Sequence, residues 1–172
     1  YPGARCDTES HAYTYFFSEE IFQEWEWSER YPGHAEIRNY LNYVSNKYSL
    51  NKDIQLNTQV ISATYDEKNN LWILKTKNDE TFKTKYLITA VGCISTTNIP
   101  NIKGLNEFKG EYYHTGNWPK NDVDFSRKMV GQIGTGSTGI QAAPVIAEKA
   151  KHLTVFQRTP NLRSIINKQD II

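Results

Sequence analysis

Six residues, Gly134-Thr135-Gly136-Ser137-Thr138-Gly139, carry the clearest chemical signal in the chain. A G-x-G-x-x-G turn binds a dinucleotide only where it leaves a strand and opens a helix. Both flanks fit: Lys128 to Ile133 is a short apolar run that reads as a buried parallel strand, and Ile140 to Ala150 is mostly helix formers. In such a turn the first glycine makes the bend and the second lets backbone approach a pyrophosphate. The third lets helix and strand pack closely, and the helix N-terminus faces the phosphate with free N–H groups. Pro144 is expected within the early turns of that helix, where its absent N–H costs least. A second strand candidate, Leu153 to Phe156, ends at Gln157-Arg158-Thr159. An acid near this end would hydrogen-bond a ribose 2′-hydroxyl, whereas the Arg158 guanidinium and Thr159 hydroxyl suit a 2′-phosphate. The pattern predicts NADP over NAD, with a solvated strand-end charge as the plain alternative for Arg158.

Other candidates are less decisive. The loop Tyr1 to Asp7 brings Arg5 and Asp7 beside the small thiol of Cys6. Such a loop can line a cofactor site or be an ordinary solvated loop, and composition does not choose between them. The aromatic stretch Ser10 to Phe17, with Tyr13, is a core segment or one wall of a pocket for a flat ligand. His34 reads as a helix cap or surface residue. No Cys/His cluster has zinc spacing, so no metal is expected, and no nucleophile–base pair is legible.

The elements that must position these residues follow from periodicity. Ser18 caps a helix that opens with Glu19 and Glu20 and runs to about Trp27. Tyr31-Pro32-Gly33 breaks the chain. A second helix spans about Ala35 to Tyr48, with Ile37, Tyr40, Leu41, Val44 and Tyr48 on one stripe. From Ile54 to Val91 the period becomes two, which predicts a β-meander of strands 54–65, 71–76 and 81–91. The last of these turns continuously apolar at Tyr86 to Val91, as a strand buried on both faces does. Ser95 to Glu107, polar and holding Pro100 and Gly104, is the best internal boundary.

The 172 residues suffice for one good core or two incomplete ones. A hydrophobic share of 38% and a net charge of +1 fit a globular chain without electrostatic bias toward nucleic acid or membrane. No apolar run reaches membrane-spanning length, and no signal peptide pattern is read at the start of the sequence. Two cysteines, Cys6 and Cys93, fit a reducing compartment, so the expected location is cytoplasmic. A nucleotide-binding half needs a βαβαβ set and only βαβ is legible, so the chain reads as part of a longer polypeptide.

Directly before the strand of the glycine turn stands Phe108-x-Gly110-x-x-x-His114-x-x-x-Trp118-Pro119. That segment matches the fingerprint of the Baeyer–Villiger monooxygenases, a branch of the flavin-containing monooxygenase superfamily that includes the cyclohexanone and phenylacetone monooxygenases. Tyr1 to Asp7 resembles the end of the family's second motif, and Ala90-Val91-Gly92 its hinge, with Val91 in place of threonine. The likeness runs from Tyr1 to about Asn161.

The resemblance implies an α/β flavoprotein with two Rossmann-like dinucleotide-binding domains and a β-meander. Residues 1–94 would belong to the FAD domain, 95–107 to a linker and 108–172 to the start of the NADP domain. Asp7 and Tyr13 would contact FAD, and the backbone of Val60 would pinch its adenine. Arg5, Cys6 and Asp7 would lie near the nicotinamide. The turn from Gly134 through Thr135, Gly136, Ser137, Thr138 and Gly139 to Ile140 would hold the NADP pyrophosphate. Arg158 and Thr159 would hold the 2′-phosphate. Phe108, Gly110, His114 and Trp118 would form the domain junction, with His114 structural or a relay of domain movement.

The implied reaction inserts one oxygen of O₂ beside a ketone carbonyl through a C4a-peroxyflavin, after NADPH has reduced FAD. Asp7 would act in catalysis by tuning an arginine from elsewhere in the polypeptide. The 172 residues alone are expected to be inactive, needing the rest of the same polypeptide. The alternatives are an N- or S-oxygenating flavin monooxygenase, against which Trp118-Pro119 speaks, and a non-catalytic NADP-binding module.

Overall fold

The computed structural model describes residues 1–160, which form three α-helices, five strands and four short 3-10 turns. They fall into two compact units: Tyr1–Val44 together with the residues from Thr96 on, and Ser45–Ser95.

The first unit opens with an extended segment. Cys6 N–H donates to Pro32 O at 3.0 Å and His34 N–H to Ala4 O at 3.0 Å, which pairs Arg5 with Gly33 as a short antiparallel bridge. Helix α1, Glu19–Glu24, starts as expected, since Ser18 Oγ accepts from Ile21 N–H at 3.5 Å. It stops short of Trp27 because Trp25 is already extended at φ −102°, ψ 117°. The freed Trp25 ring joins Trp27, Tyr40 and Tyr43, with ring centroids 5.0–5.8 Å apart. Helix α2, His34–Lys47, buries Tyr40 and Val44 against Ile21. Leu41 and Tyr48, expected on the same stripe, are exposed, because the buried face centres on Tyr40, Val44 and Tyr43. The stretch 10–17 is not core either: Ser10 and Thr14 are buried, whereas Phe16 and Phe17 face solvent.

Further along the same unit, strand β4, Met129–Ile133, helix α3, Ser137–Lys149, and strand β5, His152–Phe156, form a parallel βαβ unit. The register runs from Met129↔His152 to Ile133↔Phe156. The expected burial of β4 holds on one face only: Val130 packs on the α3 core, whereas Met129 and Ile133 on the other face are 69% and 66% exposed, with no element covering them among the described residues. Its core joins Phe125 to Ala142 and Ile146 of α3, with Tyr1, Trp118, Val130 and Leu153 packed around them. Pro144 falls inside α3 rather than in its early turns, because the helix starts at Ser137. The Ile140 carbonyl thereby loses its intrahelical donor. Both Ile140 and Pro144 are exposed, so water can serve that carbonyl.

The second unit is an antiparallel meander in the order β1, Val60–Asp66, β2, Leu71–Thr76, and β3, Thr81–Thr84. Its turns place Asn70 and Asp79 at positive φ, which their short side chains tolerate. Two expectations fail here. The first strand begins at Val60 rather than Ile54, since Leu50–Asp53 coils into a 3-10 turn and Asn57 is left-handed at φ 55°. The third ends at Thr84, and Tyr86, Ile88 and Val91 are 82%, 88% and 74% exposed. A strand buried on both faces requires neighbours, and Tyr86 to Val91 pairs with no strand among the described residues. Among those residues no helix is long and apolar enough to cross a membrane, and no cluster of side chains could hold a metal ion.

Candidate dinucleotide site

The three glycines of the turn have three different geometries. Gly134 has φ +103°, a left-handed conformation that lets the chain bend off the end of β4. A Cβ added at Gly136 would meet nothing within 4 Å, so the backbone there lies open to an incoming group. A Cβ on Gly139 would sit 2.5 Å from Gly134 O and 3.2 Å from its carbon, so helix and turn approach too closely for any side chain. Bend, open approach and close packing are the duties a dinucleotide turn assigns to its glycines. No side chain caps α3, and the first helical bond runs from Ile140 N–H to Gly136 O at 3.0 Å. The N–H groups of Ser137, Thr138 and Gly139 precede that bond, at the positive end of the helix dipole. Thr135, Ser137 and Thr138 are half-buried, and Ile140 is exposed.

The turn is braced from β4 by Gln132, whose Nε2 donates to Gly134 O and to Gly139 O, both at 3.0 Å. One amide thus holds both ends of the six-residue loop. Gln132 was not among the expected site residues, although a polar residue inside an apolar strand is a readable signal. Gly134 N–H donates to Phe156 O at 2.9 Å, so β4 and β5 end side by side. The parallel register makes Arg158 and Thr159 emerge next to the turn, both exposed.

The loop carrying Arg5, Cys6 and Asp7 lies in the same unit. Arg5 Nη1 donates to Glu29 Oε2 at 2.9 Å and to Tyr31 O at 3.2 Å. The Cys6 thiol hydrogen-bonds the Tyr13 hydroxyl. Burial, the largest influence, pushes that thiol above its ordinary range, the Tyr13 hydrogen bond opposes this, and the Asp7 charge adds to it. Tyr13 is raised chiefly by its bond to Cys6. Asp7 is exposed, and no described lysine or arginine pairs with it. Val60 belongs to the second unit, where it opens β1, pairs with Thr76 and is half exposed.

The fingerprint segment builds local structure. The Phe108 ring covers Gly110 so closely that a Cβ there would be 2.6 Å from the ring. His114 Nδ1 accepts from Gly116 N–H at 3.0 Å and caps the 3-10 turn Thr115–Asn117. Trp118 then packs against Tyr113 and Phe125, at the edge of the βαβ core.

Strand, three-glycine turn, helix and parallel strand define a dinucleotide-binding fold, and the comparisons agree. The chain belongs to the pyridine nucleotide-disulphide oxidoreductase family, whose model matches residues 9–170. It is 48% identical over 159 residues to a cyclohexanone 1,2-monooxygenase of Acinetobacter sp, covering 92% of this chain and 29% of that protein. It is 47% identical over 159 residues to a Baeyer–Villiger monooxygenase of Pseudooceanicola batsensis, again covering 92% and 29%. A solved structure of an oxidised steroid monooxygenase bound to NADP matches with a TM-score of 0.87 at 47% identity, over 94% of this chain and 31% of that one. The resemblance to Baeyer–Villiger monooxygenases and the α/β dinucleotide-binding architecture therefore hold. The chain spans less than a third of the length of the curated relatives it matches.

Proposed function

We propose that the chain is a portion of a cytoplasmic FAD- and NADPH-dependent Baeyer–Villiger monooxygenase, which inserts one oxygen of O₂ beside a ketone carbonyl to give an ester or lactone. The observation that carries this reading is the division of duties among Gly134, Gly136 and Gly139 at the joined ends of β4 and β5, with Arg158 two residues past the end of β5. The identity to ketone-named relatives supports the choice of reaction. Residues 1–94 are assigned to the FAD-binding part, 95–107 to a linker and 108–172 to the start of the NADP-binding part.

In this reading the N–H groups of Ser137, Thr138 and Gly139 hold the pyrophosphate, with Thr135 and Ile140 flanking it. Arg158 and Thr159 take the 2′-phosphate, and their exposure leaves them free to do so. Arg5, Cys6 and Asp7 face the nicotinamide, Asp7 and Tyr13 the flavin, and the Val60 backbone its adenine. Asp7 is the acceptor for a cation from elsewhere in the polypeptide. Phe108, Gly110, His114 and Trp118 shape the turn that leads into β4. When bound, NADPH supplies the hydride and FAD the site of oxygen activation.

The test is made on the full-length protein. A flavin spectrum, NADPH oxidation stimulated by a panel of ketones, and ester or lactone among the products are expected. A protein that turns over amines or sulfides but no ketone would shift the assignment to N- or S-oxygenation. One with no flavin would leave only an NADP-binding module.

A further inference from the structure

Two regions of chemical interest, the Arg5–Cys6–Asp7 loop and the nucleotide helix α3, are joined by one side chain. Gln141 stands in α3 two residues beyond Gly139. Its Nε2 donates to Arg5 O at 3.0 Å, and its Oε1 accepts from Arg5 N–H at 3.3 Å and from the Tyr1 hydroxyl at 2.8 Å. On the other edge of the same extended segment, Ala4 O and Cys6 N–H are taken by His34 and Pro32. An extended residue directs its own N–H and C=O away from the edge its neighbours use. The amide of Gln141 meets both groups of Arg5, as a neighbouring strand would.

The loop is also pressed against the helix backbone. Gly3, at φ +75°, lies where an added Cβ would collide with the carbonyl of Gln141 and stand 3.1 Å from Val145 Cγ2. Only glycine permits this approach. The loop is therefore fixed by backbone bonds, while the Arg5 guanidinium is engaged with Glu29 and Tyr31.

We propose that Gln141 is a positioning residue that sets the Arg5–Cys6–Asp7 loop against a nucleotide held at the head of α3. The proposal rests on the cofactor reading above, in which pyrophosphate binds the turn and nicotinamide faces the loop. One rigid helix then carries the phosphate site at its first turn and the anchor of the loop at the next. Gln141 touches neither reacting group, so its loss is felt as misplacement. Misplacements of about 1 Å can cost about a hundredfold in rate.

The experiment uses the full-length holoprotein with Gln141→Leu and Gln141→Glu. The first removes every bond of the amide. The second keeps acceptors for Arg5 N–H and Tyr1 but cannot donate to Arg5 O. Three readouts are taken: hydrogen exchange of the Arg5 amide, the dissociation constant of NADP⁺, and the rate of anaerobic flavin bleaching by NADPH. In the last, a hydride leaves NADPH, giving NADP⁺, and reduces FAD to FADH⁻. For Gln141→Leu we expect faster exchange at Arg5, NADP⁺ affinity within about threefold of wild type, and bleaching slowed about tenfold or more. Gln141→Glu should fall between, and it carries the test should Gln141→Leu not fold.

Unchanged exchange and bleaching would overturn the proposal. So would parallel losses of NADP⁺ affinity and bleaching, since Gln141 would then act on the nucleotide turn. A wild type that binds FAD but is not reduced by NADPH would sink the cofactor reading, and the proposal with it.

Discussion

Two apolar runs of similar length, Lys128 to Ile133 and Tyr86 to Val91, meet opposite fates. The first becomes β4, paired over five residues with β5, and Val130 packs at the core of Phe125, Ala142 and Ile146, although Met129 and Ile133 on its other face stay exposed. The second forms no strand, and its large apolar side chains are among the most exposed described. Both have the composition of a strand buried on two faces. What separates them is a partner: β5 lies a helix away in sequence, and nothing among the described residues pairs with Tyr86 to Val91. A strand is a property of a pair, and composition reports only willingness.

The most direct way to break that contrast is to place a carboxylate in each run. Val130→Asp puts a charge against the Phe125 cluster and should cost about 3 kcal/mol, seen as a fall in melting temperature. Ile88→Asp, at 88% exposure, should change stability by no more than about 0.5 kcal/mol. Equal losses would mean that Tyr86 to Val91 is paired in solution, and the contrast would be void.

A second substitution tests what lies at the end of the paired run. Because β4 and β5 finish together, Arg158 leaves the sheet beside the glycine turn. Arg158→Ala should weaken NADP⁺ about tenfold to a hundredfold, as loss of a charged hydrogen bond would, and leave NAD⁺ nearly unchanged. Calorimetric titration with both nucleotides measures it. Equal losses would return Arg158 to a solvated strand-end charge.

The turn itself offers a finer comparison between two glycines. At Gly139, alanine gains about 1 kcal/mol of helix propensity but sets a Cβ 2.5 Å from a backbone oxygen that cannot swing away. Overpacking of this kind costs about 1–3 kcal/mol, so Gly139→Ala should lower both stability and nucleotide affinity. Gly136→Ala meets open space and should leave stability intact while weakening the nucleotide alone. Identical behaviour of the two variants would refute the separate duties assigned to them.

The same contrast explains what was legible in the sequence. The βαβ unit and its turn were readable because every signal in it is local: an apolar run, three glycines at fixed spacing, then helix formers. The Ser18 cap was readable for the same reason. Of the two glutamines that hold the site, Gln132 shows only as a polar residue in an apolar strand, and Gln141 shows not at all. Gln132 braces the turn through carbonyls, which any sequence possesses, and Gln141 reaches a segment 136 residues away. Backbone partners leave no mark on residue type. Pro144 misled by position, since a helix boundary moved by three residues turns a tolerated proline into an internal one. Tyr86 to Val91 misled because pairing is not written in the run that needs it.

The smallest expected effect concerns how β4 begins. Lys128 Nζ lies 2.6 Å from Glu111 Oε2, and Lys128 O accepts from Lys151 N–H at 3.0 Å, at the mouth of the β4–β5 pair. The Lys128 hydrogen bond, and then its charge, hold the Glu111 carboxyl below its ordinary 4.5, and the same contact lifts Lys128 above 10.5. A depressed carboxyl stabilises the fold above its unfolded value and loses that contribution as pH falls through the folded one. A raised ammonium keeps its contribution up to about its unfolded value and loses it beyond. The pair thus acts between about pH 4.5 and 10.5. Both side chains are exposed, so solvent and salt screen most of the attraction. Glu111→Gln should flatten slightly the loss of stability below pH 4.5, and salt should reproduce the change in the wild type. An unaltered acid limb would mean that β4 is held by its ladder and its core contacts alone. That outcome would sharpen the difference from Tyr86 to Val91, which has neither among the described residues.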